Sequence, residues 1–328
     1  MRKSSIRRAA AGIAVATLTT LGLAACGSSD GGGSGTPIRT VQHALGSTKI
    51  FKEPKRIVAL DQTFVDTAVT LDTDVLGFTT FTANEQKLPG YLSQAAGGKH
   101  TAKAQTVGTL SEPSLEKISA LKPDLILSAK IRHEALYGKL SQIAPTVFSE
   151  TTGATWKENL RLTAKALGKE QLAEQRIKEF ETRARTIGDA VEKKNGGKMP
   201  AVSVVRFTDE PTVRLYTENS YVGIILKDAG FPRPEGQPTS DKIAVDLSEE
   251  RIKDLDADEI FLARYADESG KSSQVQTKFK NNPLWGRLAG TKREVSDETW
   301  MLAVGLQGAH LVLDDLAKFF EVDAARTA

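Results

Sequence analysis

The sequence is poor in the residues on which disulfide-stapled scaffolds and metal sites depend. Its 328 residues include one cysteine, Cys26. No intramolecular disulfide can form, so the fold must be held by its hydrophobic core. Four histidines are scattered along the chain: His43, His100, His133 and His310. A transition-metal site needs three or four convergent ligands, so we expect no metal centre.

Catalytic patterns are also incomplete. His133-Glu134 begins the zinc-protease pattern, but Tyr137 stands where the second histidine is required. We therefore expect that the protein is not an enzyme. The remote alternative is a secreted cell-wall hydrolase, which would need a nucleophile and a base within about 3 Å of each other.

The small excess of positive charge is confined to one end of the chain. Overall, 44 Lys and Arg residues face 41 Asp and Glu residues, for a net charge of +3. The first 25 residues contain Arg2, Lys3, Arg7 and Arg8 and no acid, and without them the net charge is −1. The remaining chain offers no basic footprint for phosphate backbones, so we expect no nucleic-acid partner.

The N-terminal segment combines a basic start with an apolar run. Residues 9–25 are apolar and rich in small side chains, and they end in Leu23-Ala24-Ala25-Cys26-Gly27. This pattern resembles the bacterial lipoprotein signal, which implies cleavage after residue 25 and lipidation (palmitate) of Cys26. Residues 26–36 then form a flexible tether. The location implied is the outer face of the cytoplasmic membrane; the alternative is an ordinary secretory signal with an incidental cysteine.

From Pro37 onward, short apolar runs alternate with helical patterns. The apolar content of 40% is enough to bury a large core and excludes a disordered chain. Aliphatic runs at 56–60, 125–127 and 260–262 are typical of strands, and helical patterns separate them. Strands alternating with helices predict an α/β fold with largely parallel sheets.

One long helical pattern lies near the middle of the chain. Its apolar residues recur at intervals of four and three: Ala173, Ile177, Phe180, Ala184, Ile187 and Val191. Asn195-Gly196-Gly197 ends the pattern. At about 1.5 Å per residue, a helix over 169–194 would extend roughly 40 Å and could cross from one lobe to another. A peripheral helix in a single domain is the alternative.

An internal repeat supports two lobes. Residues 114–127 align without gaps on residues 248–261, with Glu, a basic residue, Ile, Leu and Asp at matching places. Each copy places a helical pattern ahead of a strand. This repeat predicts two halves of similar architecture.

Several segments of the chain resemble one family. They are Lys-Arg-Ile-Val-Ala-Leu (55–60), Ser-Leu-Glu-Lys-Ile-Ser-Ala-Leu-Lys-Pro-Asp-Leu-Ile-Leu (114–127), Leu-Ser-Gln-Ile-Ala-Pro-Thr-Val-Phe (140–148), Trp-Lys-Glu-Asn-Leu (156–160) and Asn-Pro-Leu-Trp (282–285). In this order behind a lipoprotein signal, they resemble the ferric-siderophore-binding lipoproteins of bacterial import systems, within the helical-backbone group that also holds vitamin B12 and haem binders.

The resemblance implies two α/β lobes joined by one rigid helix, with the ligand in the cleft between them. The implied divisions are an N-terminal lobe at 37–166, a connecting helix at 167–196 and a C-terminal lobe at 197–328. The implied function is a lipid-anchored monomeric receptor that passes a ferric siderophore, with the hydroxamate type favoured, to an ABC permease and its ATPase. It would need no cofactor and would touch the membrane only through its anchor. A haem or cobalamin receptor of the same fold is the alternative.

The candidate ligand-binding residues are guanidinium and aromatic side chains at strand ends or in loops, where open α/β sheets place their sites. They are Arg132, Arg206, Tyr216, Arg264, Tyr265 and Trp300, the last of which we expect in a loop before the final helix. A guanidinium can donate two hydrogen bonds to chelating oxygens and stays charged at any working pH. Trp156 and Trp285 lie in general scaffold, so we expect them to be buried.

Glu116 and Glu250 occupy equivalent positions in the repeat. In the family that the chain resembles, one exposed glutamate of each lobe docks on arginines of the permease. Two such carboxylates far apart on one face could orient the encounter. The alternative is a pair of surface glutamates that stabilise helix starts through the helix dipole.

Overall fold

The computed structural model describes residues 35–82 and 85–326. The predicted signal segment and Cys26 lie outside this range. The strands are β1 (Arg39–His43), β2 (Gly46–Ile50), β3 (Ile57–Ala59), β4 (Val75–Thr80), β5 (Gln105–Thr109), β6 (Leu125–Ala129), β7 (Thr146–Ser149), β8 (Val202–Phe207), β9 (Val213–Tyr216), β10 (Ala244–Leu247), β11 (Glu259–Arg264) and β12 (Thr291–Glu294).

The helices are of very unequal length. They are α1 (Gln62–Thr70), α2 (Gly90–Gln94), α3 (Leu115–Ala120), α4 (Lys130–His133), α5 (Tyr137–Ile143), α6 (Trp156–Leu167), α7 (Glu170–Lys194), α8 (Tyr221–Asp228), α9 (Lys271–Asn281) and α10 (Leu306–Phe319). Short 3₁₀ segments include Glu249–Leu255, and a π-helical turn covers Glu298–Leu302. None of the helices among the described residues is long and apolar enough to cross a membrane.

Ten of the twelve strands in the described residues form two five-stranded sheets with the same internal order, and β1 pairs with β2 in a separate antiparallel sheet. The first sheet runs β5-β4-β3-β6-β7 and is parallel throughout, and the second runs β10-β9-β8-β11-β12. In the second sheet β9 alone is reversed, because it pairs antiparallel with both of its neighbours. We call the first sheet with its helices the N-terminal lobe and the second the C-terminal lobe. This confirms the predicted two-lobed α/β fold with largely parallel sheets.

The sequence repeat corresponds to equivalent elements of the two lobes. Ser114 caps α3 by accepting the Lys117 backbone N–H, and β6 follows. Ser248 begins the 3₁₀ segment Glu249–Leu255, and β11 follows. Because β6 and β11 hold the same place in their sheets, the repeat marks the same helix–strand unit twice.

Helix α7 spans 25 residues between the two sheets in the chain. All six residues of the predicted apolar stripe are buried, including Phe180 and Ile187. The stripe packs against α6, α8 and α10, so the helix is anchored along its length on both lobes. The prediction of one long connecting helix is confirmed to within a residue at its start.

Aromatic rings fill the core around α7. Trp156 packs edge-on against Phe180 and Tyr221, with ring centroids 5.4 and 5.9 Å apart. These rings come from α6, α7 and α8, so one apolar cluster spans both lobes. Trp156 and Trp285 are both buried, as the sequence predicts.

Candidate functional site

A cavity of about 590 Å³ lies where the carboxyl ends of strands from both lobes meet. The N-terminal lobe contributes Gln62, which begins α1 after β3, and Lys87. The C-terminal lobe contributes Arg206 at the end of β8 and Tyr265 directly after β11. Open α/β sheets present their ligand sites at this edge of the strands. The cavity is therefore the candidate ligand site, and we call it the interlobe cavity.

Arg206 is the most firmly held cation of the interlobe cavity. Its Nε and Nη2 atoms donate to the two carboxylate oxygens of Asp297 at 2.6 and 2.7 Å. The two side chains are only 11% and 9% exposed, and the guanidinium lies 5.3 Å from the centre of the Tyr265 ring. Burial opposes the positive charge, but the interactions with Asp297 and Tyr216 together outweigh it and raise the pKa of Arg206. This arrangement holds one guanidinium in a fixed orientation beside an aromatic ring.

Arg132 forms a similar pair in the N-terminal lobe. Its Nε donates to Asp61 at 3.0 Å, and Asp61 also accepts the Thr63 backbone N–H at the start of α1. Arg132 is 37% exposed and is not part of the cavity wall. It lies beside the wall, because its partner Asp61 directly precedes Gln62.

Three other predicted residues divide between the cavity and its surroundings. Tyr265 lines the interlobe cavity. The Tyr216 hydroxyl is hydrogen-bonded to Arg206, but the ring lines a second cavity of about 320 Å³ inside the C-terminal lobe. Arg264 is exposed at the end of β11 and is absent from the wall of the interlobe cavity.

Trp300 is placed differently from the sequence expectation. Its side chain is fully buried, its ring packs 4.7 Å from that of Phe261, and its indole N–H donates to Asp315 at 2.8 Å. The loop expected before the last helix is the π-helical turn Glu298–Leu302, which packs against α10. Trp300 is therefore a core residue here, while its neighbours Glu298 and Leu302 line the interlobe cavity.

Several cavity residues were missed by the sequence reasoning. Arg214 lies opposite Arg206 across the antiparallel β8–β9 pair, so both side chains share one face of the sheet. The alternation of side chains along a strand could have revealed this relationship. Asp297 follows β12, whose sequence Thr-Lys-Arg-Glu carries no apolar strand signal. Glu85 and Lys87 lie in an irregular segment with no pattern to mark them.

The histidines have separate partners. Nδ1 of His133 is bonded to Ser128 and Nε2 to the Leu110 carbonyl, and burial lowers the pKa of its imidazole. His310 accepts a hydrogen bond from Arg183, and burial lowers its pKa to about 4. Within residues 35–82 and 85–326, no group of three or more His, Cys, Asp or Glu side chains is arranged to hold a metal ion.

Comparison with known proteins is consistent with this two-lobed site. A sequence model of the periplasmic binding protein family matches residues 57–294, which include both sheets. The chain belongs to this family. This periplasmic binding protein is similar to the probable siderophore-binding lipoprotein YfiY of Bacillus subtilis (strain 168). The two sequences are 35% identical over 91% of this chain and 94% of the relative.

Two further similarities also extend over most of the chain. The chain is 27% identical to the Fe(3+) dicitrate-binding periplasmic protein FecB of Escherichia coli (strain K12), over 86% of this chain and 90% of the relative. It is also similar to the crystal structure of Staphylococcus aureus SirA complexed with staphyloferrin B. That match has a TM-score of 0.77 and 30% identity, and it covers 87% of this chain and 99% of the other.

The two glutamates of the repeat lie on the surface of this periplasmic binding protein. Glu116 is exposed in the first turn of α3, after the Ser114 cap. Glu250 is exposed at the start of the 3₁₀ segment, where a hydrogen bond from Ser248 lowers the pKa of its carboxyl. Both side chains are exposed at the surface, and their docking role stays a prediction.

Proposed function

We propose that this periplasmic binding protein captures a ferric siderophore in the interlobe cavity and delivers it to an ABC importer. The observation that carries the proposal is the Arg206–Asp297–Tyr265 cluster, which holds a guanidinium and an aromatic ring on the wall of a cavity of about 590 Å³ shared by two lobes. A guanidinium donates to chelating oxygens, and a ring packs on the organic part of a chelate. In this proposal the chelator occupies every coordination position of the ferric ion, so no protein side chain needs to ligate the metal.

The proposal includes a preference for hydroxamate chelators and the absence of catalysis. Members of the family are substrate-binding proteins, and relatives are named for siderophores and for ferric dicitrate. The proposal is tested by titrating the purified protein with ferric hydroxamate, catecholate and citrate complexes, and with haem and cobalamin. Intrinsic fluorescence and calorimetry measure the binding. Tight binding of a ferric hydroxamate supports the proposal. Selective binding of haem or cobalamin, or of no ferric chelate, would overturn it.

We further propose that Cys26 carries the lipid anchor and that the mature receptor acts as a monomer. Relatives named as lipoproteins support an anchored, extracytoplasmic location. The proposed divisions are a signal at 1–25, a tether at 26–36, lobes at 37–166 and 197–328, and a connecting helix at 167–196. Labelling of cells with a palmitate analogue should mark the wild-type protein and not Cys26→Ser. Membrane retention of an unlabelled Cys26→Ser protein would contradict the anchor.

A further inference from the structure

The arginines that flank the interlobe cavity already carry negative partners. Arg206 is paired with Asp297, and Arg132 is paired with Asp61. In each lobe, the acid comes from a different loop than the arginine and begins a helical turn: Asp61 caps α1, and Asp297 precedes Glu298–Leu302. The two lobes thus share one arrangement, in which a carboxylate of the protein neutralises the charge of a guanidinium.

The charged side chains of the whole cavity wall carry no excess of positive charge. Its cations are Lys87, Arg206 and Arg214. Its carboxylates are Glu85, Asp209, Asp297 and Glu298. With three cations against four carboxylates, the wall has no excess of positive charge to offset the desolvation of a polyanion. Like charges brought together across an interface disfavour binding and exclude wrong partners.

Ferric chelates differ in net charge according to their chelating groups. Three singly charged hydroxamates cancel trivalent iron and give a neutral complex, whereas three doubly charged catecholates leave three negative charges. A neutral complex can accept hydrogen bonds from the guanidinium and still lie close to the carboxylates. A polyanion would meet those carboxylates in a partly buried site, where charges are weakly screened.

We propose that Asp297 sets the charge selectivity of the interlobe cavity, so that the receptor takes neutral ferric chelates, of the trihydroxamate class, in preference to polyanionic ones. This inference rests on the proposed function and names the residue that limits its ligand class. Asp297 binds the Nε and Nη2 edge of Arg206, which leaves Nη1 to donate to a ligand. Asp297 therefore both orients the guanidinium and removes its net charge.

The test is the ratio of two dissociation constants, measured by calorimetry on the full protein with ferrichrome as the neutral trihydroxamate probe and ferric enterobactin as the polyanionic probe. The wild-type protein should bind ferrichrome more tightly. Asp297→Asn exposes the charge of Arg206 and should shift the ratio toward ferric enterobactin by roughly tenfold or more, since the chelate carries several charges close to the site.

Two further variants separate charge from structural damage. The double variant Arg206→Gln with Asp297→Asn removes both charges and should return the ratio toward the wild-type value, even if both affinities fall. Asp189→Asn makes the same change of charge on the exposed face of α7 and should leave the ratio unchanged. An equal shift of the ratio in the Asp189→Asn variant would show that any change of charge on the protein alters selectivity through a long-range electric field, and it would overturn the role of Asp297.

The remaining outcomes are also decisive. Tighter binding of ferric enterobactin by the wild-type protein would overturn the inference and the proposed hydroxamate preference, but not the capture of a ferric siderophore in the interlobe cavity. An unchanged ratio in Asp297→Asn would overturn the inference and leave the proposed receptor function intact. Binding of no ferric chelate would overturn both, and it is distinguished by the absence of any titration signal.

Discussion

The Asp66 carboxylate accepts the backbone N–H of Gly308 at 3.1 Å, which joins α1 of the N-terminal lobe to the first turn of α10. Its other oxygen accepts the Gln307 N–H, also at 3.1 Å, and the Thr70 hydroxyl lies within hydrogen-bonding distance. The first turn of a helix has N–H groups without intrahelical partners, and α10 has no side-chain cap of its own. A fully buried residue of one lobe therefore caps a helix that follows the sheet of the other.

The Asp66 carboxyl should make folding stability depend on pH. Burial raises its pKa from 3.8 to about 6, despite hydrogen bonds to its charged form. The folded state therefore holds this proton where the unfolded state has released it, and the resulting stabilisation is present below about pH 4 and is lost as the pH rises through 6. Relative to Asp66→Asn, the wild-type protein should gain roughly 2 kcal/mol in free energy of unfolding between pH 7.5 and 4.5.

This measurement uses urea unfolding of both proteins at each pH. The difference between them is the required quantity, because the lowered pKa of His310 makes its own contribution to stability fall as the pH drops toward 4. A constant difference between wild type and Asp66→Asn across this range would contradict a raised pKa for Asp66.

Loss of the Arg206 guanidinium should weaken ligand binding. Arg206→Gln removes the charged donors and leaves Asp297 buried without its partner, so the dissociation constant of the tightest ferric chelate should rise at least about tenfold. Calorimetric titration measures the change. Arg185→Gln removes an exposed guanidinium on α7 and is the matched control. Equal affinities of Arg206→Gln and the wild-type protein would remove Arg206 from the site.

Truncation of Trp300 should affect stability. The buried indole packs on Phe261 and donates to Asp315, so Trp300→Ala should lower the free energy of unfolding by about 3–5 kcal/mol. Trp300→Phe keeps a ring in the core and should cost less. Urea unfolding without ligand measures both. A Trp300→Ala protein that keeps its stability but no longer binds the chelate would instead place the indole at the ligand.

The surface glutamates should affect transport without affecting capture. Glu116→Ala and Glu250→Ala remove exposed carboxylates that are not part of the cavity wall, so the dissociation constant of the chelate should not change. Uptake of the radiolabelled ferric chelate by cells with the matching permease should fall several-fold, because docking loses an oriented charge pair. Glu192→Ala, on an exposed part of α7, is the control. Normal uptake by the double variant Glu116→Ala with Glu250→Ala would rule out docking through these residues.

Much of the fold could be predicted from the sequence because its signals are local. The apolar stripe from Ala173 to Val191 needs only helical periodicity, and α7 follows it closely. The repeat at 114–127 and 248–261 marks a helix–strand unit of each lobe. By contrast, β12 consists of polar residues, and the reversal of β9 depends on pairing with its neighbours, which no local pattern encodes.

The site was only partly predictable, since it depends on distant contacts. Arg206 and Tyr265 were predicted because they lie at strand ends, and both line the interlobe cavity because parallel strands bring such positions to one edge. Asp297 lies 91 residues from Arg206, and only the folded sheet brings their charges together. Trp300 has the kind of aromatic side chain that we expect in a binding site, yet its packing against Phe261 buries it.

The sequence by itself determined the two-lobed α/β architecture, the long connecting helix and the positions of most strand ends. These follow from periodicity and repetition along the chain, which act over a few residues at a time. The tertiary structure alone decided which arginines are neutralised, which aromatic rings reach the cavity and how Asp66 joins the lobes. Charge pairing and burial depend on distances in space, and residues far apart in the chain supply both partners.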